Sequence, residues 1–181
     1  QIILSVHSLD EIWVIDHGTT TVEAAGHTGG TYGKGGDLLY RWGNPQVYRR
    51  GTPLDQQLFR QHDAQWIASG SPGAGNILIF NNGATRPEGQ YSTIDEVVPP
   101  VEPDGSYLLA DGSAYEPAGP VWSYVADPPH SLFSNNISGA ERQPNGNTLI
   151  CEGSSGNFIE LGAADEEVWL YVNPISGGAA L

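Results

Sequence analysis

The amino-acid sequence predicts an all-β protein, and three observations lead to this fold class. Short runs rich in Val, Ile, Trp and Tyr recur along the 181 residues and are bounded by Gly, Pro, Asn and Asp, as in strands joined by tight turns. Glycine and proline number 24 and 13, and both favour turns over helices. Finally, no segment spaces its apolar residues by three and four over three turns, so no amphipathic helix is predicted.

An internal repeat refines this prediction. Residues 75–80 read GNILIF and residues 146–151 read GNTLIC. Each copy continues to a strand with the pattern Trp-x-Tyr, at 120–124 and 167–171. Copies of this length with four short antiparallel strands each are typical of the blades of a β-propeller. The sequence therefore predicts a partial β-propeller, with about two complete four-stranded blades after a truncated first blade that lacks its first strand.

The copies follow one another along the chain, and residues 1–181 are interpreted as a single propeller fragment. The blade copies cover approximately residues 1–45 (incomplete), 60–128 and 136–175. Within each copy, runs of β-branched and aromatic residues mark the strands. The predicted strands are Ile2–His7, Glu11–Asp16 and Asp37–Trp42, then Asp63–Ile67, Asn76–Phe80, Ser92–Val98 and Val121–Val125, then Ile137–Arg142, Asn147–Glu152, Asn157–Leu161 and Glu167–Val172. The glycine-rich stretch 26–36 and the proline-rich stretch 99–120 are predicted to be loops.

The chain is strongly acidic. Seven Lys and Arg against 21 Asp and Glu give a formal net charge of −14, which repels nucleic acid and anionic lipid. We therefore expect no nucleic-acid partner, and the absence of a long apolar stretch predicts no membrane insertion. The single Cys151 lies in an apolar strand and is predicted to be a small buried residue. Because the sequence contains no Met and starts within a strand pattern, we expect it to be an internal piece of a longer chain.

The repeat also singles out one histidine. Aligning Ala64 with Ala140 places His62 opposite Ser138, at the start of the first strand of its copy. First strands of propeller blades line the central channel, where small ligands bind. His62 does not recur in the other copy, so it is a candidate for catalysis; the alternative is a polar channel residue bonded to a carbonyl or to water. Asp63 should point to the opposite face, so a partner that orients the imidazole must come from another strand.

Several segments carry a resemblance to a known family. They read QHDAQWI at 61–67, GNILIFNNG at 75–83 and PNGNTLI at 144–150, and they are accompanied by EIWVID at 11–16 and by the Trp-x-Tyr strands. Together they resemble the PAPS-independent arylsulfate sulfotransferases, which are six-bladed β-propellers of bacterial periplasms. The similarity spans nearly the whole chain.

This resemblance implies a sulfuryl transfer in two steps. A channel histidine attacks the sulfur of an aryl sulfate, a phenol leaves, and the resulting sulfohistidine passes the group to a second phenol. His62 matches the sulfated histidine, and a neutral imidazole is nucleophilic near pH 7. The resemblance implies no cofactor, small-molecule aryl sulfate and phenol as partners, and a periplasmic or secreted location.

Two further residues are candidates for substrate binding. Where the family has an arginine that binds sulfuryl oxygens, this chain has His7, which can donate a hydrogen bond but cannot supply a bidentate fork. Asn82 lies in the same register as His7 at the end of the equivalent strand, and its amide is expected to donate to a sulfuryl oxygen. The alternative for Asn82 is to cap the turn into Gly83. No metal site is predicted, because the histidine spacing matches no zinc pattern.

Two classes of function stay open on the sequence. The first is an enzyme of the arylsulfotransferase type, with His62 as nucleophile. The second is a non-catalytic β-propeller that binds a small ligand or a protein partner, because propellers host both kinds of function. Fewer than three blades would leave open sheet edges, so the chain without the missing blades of its parent is expected to be inactive or to aggregate.

Overall fold

A computed structural model describes residues 1–176 and 179–180, and its strands form three antiparallel sheets and one short two-stranded pair. The first sheet contains β1 (Ile2–Val6), β2 (Glu11–Ile15) and β3 (Tyr40–Trp42). The second contains β4 (His62–Trp66), β5 (Ile77–Asn81), β6 (Thr93–Val97) and β7 (Trp122–Val125). The third contains β8 (Gly139–Arg142), β9 (Thr148–Glu152), β10 (Asn157–Leu161) and β11 (Glu167–Tyr171). Finally, β12 (Ile175–Ser176) pairs with β13 (Ala179–Ala180).

The strands of each sheet are hydrogen-bonded in chain order, from one edge of the sheet to the other. The prediction of an all-β protein is therefore confirmed. The strand bounds also agree with the sequence-based ones to within three residues. The agreement is close because turn residues, which are local signals, set most of the strand ends.

The fold also contains one short α-helix that the sequence pattern did not predict. α1 (Thr21–Ala24) begins after Thr20, whose hydroxyl accepts from the Glu23 N–H while the Glu23 carboxylate accepts from the Thr20 N–H. This reciprocal capping box stabilises a single turn that has no apolar stripe. Short 3₁₀ helices cover His7–Leu9, Pro45–Tyr48, Pro53–Asp55 and Pro129–Ser131. Among the residues described, no helix has the length and apolar character needed to cross a membrane.

The strand β5 is buried on both faces. Ile77 and Ile79 belong to an apolar cluster with Ile12, Val14 and Tyr40 of the first sheet. Leu78 and Phe80 belong to a second cluster, with Ala140, Ile150 and Leu161 of the third sheet. Because side chains alternate between the two faces of a strand, one continuous apolar run can fill two cores. The second sheet is therefore sandwiched between the first and the third.

The strand β4 contains an irregularity directly after His62. His62 pairs with Phe80 of β5, whereas Gln65 pairs with Leu78, so β4 has one residue more than its partner over this step. Asp63 takes a positive φ of 51°, which accommodates the extra residue as a β-bulge does. β4 packs against both β1 and β8. The bulge thus bends β4 directly after His62, where the strand lies between the first and the third sheet.

The outward faces of the first and third sheets bear apolar side chains that the described residues leave uncovered. All five residues of β11 are exposed, and Trp169 and Leu170 among them retain 48% and 45% of their accessible surface. On the first sheet, Ile2 and Leu4 are exposed while Ile3 packs into the core. The row of three sheets therefore ends in an open apolar face on each side.

Candidate functional site

The predicted site residues lie together at one end of the sheets. His7 directly follows β1, Asn82 directly follows β5, and His62 is the first residue of β4. The rings of His7 and His62 have centroids 4.9 Å apart and are tilted by 54°. His62 Nδ1 lies 2.8 Å from Asn82 Oδ1. The partner of His62 thus comes from the neighbouring strand, as the alternation argument required.

Hydrogen bonds join the first and second sheets just beside the two histidines. The Ser5 hydroxyl donates to the Gln61 carbonyl at 3.2 Å. The Gln61 side-chain amide donates to the Glu11 carbonyl at 2.6 Å, and Gln61 is fully buried. Because Ser5 lies two residues before His7 and Gln61 directly precedes His62, these bonds connect the two segments that carry the imidazoles.

The surroundings of Asn82 determine which nitrogen of His62 carries the proton. Asn82 is fully buried, and its Nδ2 donates to the carbonyl oxygens of Ser134 and Ile137 at 2.8 and 2.9 Å. With both amide hydrogens used, Oδ1 faces His62 and can only accept a hydrogen bond. His62 therefore donates from Nδ1–H, and in the neutral form of the ring the lone pair lies on Nε2.

The role expected for Asn82 has to be corrected. The sequence predicts that its amide donates to a sulfuryl oxygen, but both amide hydrogens are donated to backbone carbonyls. A buried side chain with every donor satisfied has none to offer a substrate. Asn82 is a positioning residue that orients His62 through its side-chain oxygen Oδ1 and not through its side-chain NH₂ group.

His7 is half-buried beside His62 and has a lowered pKa. Burial is the largest cause, because it disfavours the charged imidazolium, and the nearby charges of His62 and Arg60 act in the same direction. Asp10 opposes them by favouring the charged form. The neutral form of His7 is therefore favoured at neutral pH, and this form can donate one N–H hydrogen bond to an anion. His7 does not supply the charge that an arginine would.

Arg60 is a cation at the site that sequence analysis did not nominate. Its backbone N–H donates to Asp10 Oδ1 at 2.7 Å, and its Nε lies 3.9 Å from the same oxygen. The side chain remains 35% exposed. The available signal was a cation two residues before His62 in a chain with only seven Lys and Arg. The charge of Arg60 acts on His7, whose ring lies against that of His62, so a cation and a hydrogen-bond donor lie near the nucleophile candidate.

A segment that joins the second sheet to the third closes the buried side of the site. Besides its bonds to Asn82, this segment makes two further contacts through Ser134. The Ser134 hydroxyl lies 2.6 Å from the Ser154 hydroxyl, and the Ser134 N–H donates to the Ser92 hydroxyl at 3.0 Å. The Ser92 hydroxyl in turn donates to the Asn82 carbonyl at 2.9 Å. The position of Asn82 is therefore set by two sheets at once.

Other features of the chain lie apart from this site. A cavity of about 290 Å³ beside β3 is lined by Trp42, Tyr48 and Tyr115 and by none of the residues at the histidines. Cys151 in β9 is half-buried, and burial raises the pKa of its thiol, which keeps it in the unreactive protonated form. Over residues 1–176 and 179–180, no three His, Cys, Asp or Glu side chains are grouped as metal ligands would be.

Comparisons of this chain with protein-family models, with curated proteins and with solved structures gave no match. The function of the chain is therefore inferred from the geometry of the histidine pair, of Asn82 and of Arg60.

Proposed function

We propose that this chain carries the nucleophile of a sulfotransferase that moves a sulfuryl group from an aryl sulfate to a phenol through a sulfohistidine at His62. The observation that supports this most directly is the hydrogen bond from His62 Nδ1 to Asn82 Oδ1, at 2.8 Å. It selects the tautomer in which Nε2 has a free lone pair. A neutral imidazole with one nitrogen oriented and the other free is suited to nucleophilic catalysis.

In the first step, His62 Nε2 attacks the sulfur of the aryl sulfate. The N–S bond forms, the bond from sulfur to the aryl oxygen breaks, and the phenolate leaves with the electron pair and takes up a proton from water. The positive charge that forms on the imidazole is stabilised by the side-chain oxygen Oδ1 of Asn82, which accepts from Nδ1–H. The N–H of His7, whose ring lies against that of His62, and the charge of Arg60, which acts on His7, are assigned to stabilise negative charge on the sulfuryl oxygens.

In the second step, a phenol oxygen attacks the same sulfur from the acceptor side. The new S–O bond forms, the N–S bond breaks and returns its electron pair to Nε2, and the phenol proton passes to water. Splitting one displacement into two lets donor and acceptor use the same site in turn. No cofactor enters this scheme, because the aryl sulfate itself supplies the activated group.

We also propose that the three sheets are successive blades of a β-propeller. Three features support this: each sheet is a meander in chain order, β4 packs against both β1 and β8, and the outer faces are apolar and open. In this arrangement β4 and β8 are innermost strands, and the first sheet lacks its innermost strand. A closed propeller would cover both open faces with further blades.

The test uses the full-length protein with 4-nitrophenyl sulfate as donor and a phenol as acceptor. We expect wild type to release 4-nitrophenol and to form a covalent adduct of the mass of one sulfuryl group. His62→Ala should lower the rate by at least about 10³-fold and abolish the adduct, because no other group replaces the nucleophile. His130→Ala is a matched control, since His130 is an exposed residue of the 3₁₀ helix Pro129–Ser131.

Two results would contradict the proposal. One is the absence of phenol release from the wild-type protein, and the other is release that His62→Ala leaves unchanged. Binding of the aryl sulfate without any release would instead favour the second class of function, a propeller that only binds its ligand.

A further inference from the structure

The segment beside Asn82 contains two consecutive residues in a left-handed backbone conformation. Ile137 has a φ of 47° and Ser138 a φ of 88°. Positive φ is rare for a β-branched residue, because its Cβ substituents crowd the backbone. Glycine or asparagine would adopt this conformation at lower cost. Strain of this kind persists where the surroundings enforce it, and it is concentrated at functional sites.

The surroundings of this strained pair are part of the candidate site. The Ile137 carbonyl accepts from Asn82 Nδ2 at 2.9 Å, and the same asparagine orients His62 through Oδ1. The Ser138 hydroxyl accepts from the Gly153 N–H at 2.9 Å. The strained conformation is thus held from both sides, once by the residue that orients the nucleophile and once by the end of β9.

The strained conformation places an aliphatic side chain at the end where the histidines lie. Gly153 follows β9 as His7 follows β1 and Asn82 follows β5. A Cβ on Gly153 would come within 2.5 Å of Ile137 Cγ1, so the Ile137 side chain occupies the space above this glycine. Ile137 nevertheless remains 52% exposed. In the third sheet, Gly153 occupies the position equivalent to His7 and Asn82, and the apolar side chain of Ile137 therefore covers it.

We propose that Ile137 determines the specificity of the site by forming the apolar wall that receives the aryl ring of the donor. An exposed aliphatic side chain is stabilised by contact with an aromatic ring that leaves water. Arg60 and His7 offer the opposite chemistry, a positive charge and a hydrogen-bond donor. Together they select a ligand with an anionic head and an apolar ring. The inference rests on the proposed function only in taking the anionic head to be a sulfuryl group.

The test measures equilibrium binding to the full-length protein with His62→Ala, so that turnover is not needed. The ligands are 4-nitrophenyl sulfate and methyl sulfate, which share the anionic head but differ in the ring. Adding Ile137→Asn should weaken binding of 4-nitrophenyl sulfate by about tenfold, because the apolar contact is lost, and change binding of methyl sulfate less than twofold. Ile137→Val keeps a branched aliphatic side chain and should retain most of the preference for the aryl ligand.

Folding is checked by thermal unfolding. Asparagine tolerates the left-handed conformation, so Ile137→Asn should unfold at the same temperature as its parent or higher. A merely structural role for Ile137 would leave the ratio of the two affinities unchanged, and that result would overturn the inference. Failure of 4-nitrophenyl sulfate to bind at all would overturn it as well.

The two proposals can fail separately. A wild-type protein that binds the aryl ligand through Ile137 but releases no phenol refutes the sulfotransferase and leaves the apolar wall in place. A protein that releases phenol normally, with an Ile137→Asn variant that has lost no aryl preference, refutes the wall and leaves the sulfotransferase.

Discussion

At the scale of single residues, the same position at a strand end carries three different tasks. His7, Asn82 and Gly153 each follow the corresponding strand of their sheet. His7 is half-buried against the His62 ring, Asn82 is a fully buried positioning residue, and Gly153 leaves room for a neighbouring side chain. The backbone repeats while the side chains diverge, so the role of each residue follows from its own contacts.

A prediction at this scale concerns Asn82→Ala. Losing the acceptor for Nδ1–H removes the preference for the tautomer that leaves Nε2 free. We expect the rate constant kcat to fall by about 10²-fold, within the range for a misoriented catalytic group, while KM changes little. Nitrogen NMR of His62 should show the Nδ1–H tautomer in wild type and a shift toward the Nε2–H tautomer in the variant.

The tautomer measurement separates positioning from a general loss of stability. Asn82→Ala also leaves the Ser134 and Ile137 carbonyls without their donor, which costs about 1–3 kcal/mol for each buried group left unsatisfied. That loss lowers the unfolding temperature but does not alter the tautomer of a folded molecule. An unchanged tautomer in the folded variant would refute the role given to Asn82.

At the scale of elements, the turn that leaves β5 fixes the position of Asn82. Gly83 has a φ of 74°, and its N–H donates to the Phe59 carbonyl at 2.8 Å. A Cβ at Gly83 would overlap the carbonyl oxygen of Tyr91. The chain therefore turns toward β6 so tightly that only glycine fits, and the buried asparagine lies directly before this turn.

Gly83→Ala should destabilise the protein much more than Gly112→Ala. Gly112 has nearly the same φ, 75°, but a Cβ there would meet nothing within 4 Å. Both changes place a Cβ in the left-handed conformation, which costs about 1–2 kcal/mol, and only Gly83→Ala adds a backbone overlap, for a total on the order of 4 kcal/mol. Thermal unfolding of the two variants gives the comparison, and equal losses would contradict it.

The strands could be predicted because the signals that mark them are local in the sequence. Several residues of the site could not be predicted in this way. Runs of β-branched and aromatic residues, bounded by turn residues, place the strands, and comparison of the two copies singles out His62. Arg60 and Ile137 were missed, since both lie just before a strand in a left-handed conformation with φ of 64° and 47°. Their roles depend on Asp10 and Asn82, which are distant in the sequence, so no local pattern reveals them.

At the scale of the whole molecule, charge and apolar surface act in opposite directions. A net charge of −14 favours dispersal through mutual repulsion. The uncovered faces of the first and third sheets favour association, and the exposed edge strand β11 adds unpaired backbone groups. Salt screens the repulsion but not the apolar contact, so added salt should promote association of this chain.

We therefore expect the isolated 181-residue chain to form concentration-dependent oligomers through β11. Trp169→Lys places a charge on the exposed apolar face and should shift the chain toward monomer, as measured by light scattering after gel filtration. Val22→Lys is the matched control, because Val22 is 84% exposed but lies on α1 rather than on a sheet face. A chain that is monomeric at high salt without any substitution would contradict this prediction.

The hydrogen bonds of Asn82 also make the orientation of His62 depend on the order in which the sheets fold. His62 and Asn82 belong to the second sheet, but the carbonyls that hold the asparagine, those of Ser134 and Ile137, arrive with the segment leading into the third. During folding, a second sheet that has formed alone lacks these anchors. The orientation that Asn82 gives to the imidazole is thus complete only once this segment has docked, so under the proposed function the assembly of the fold precedes any transfer of the sulfuryl group.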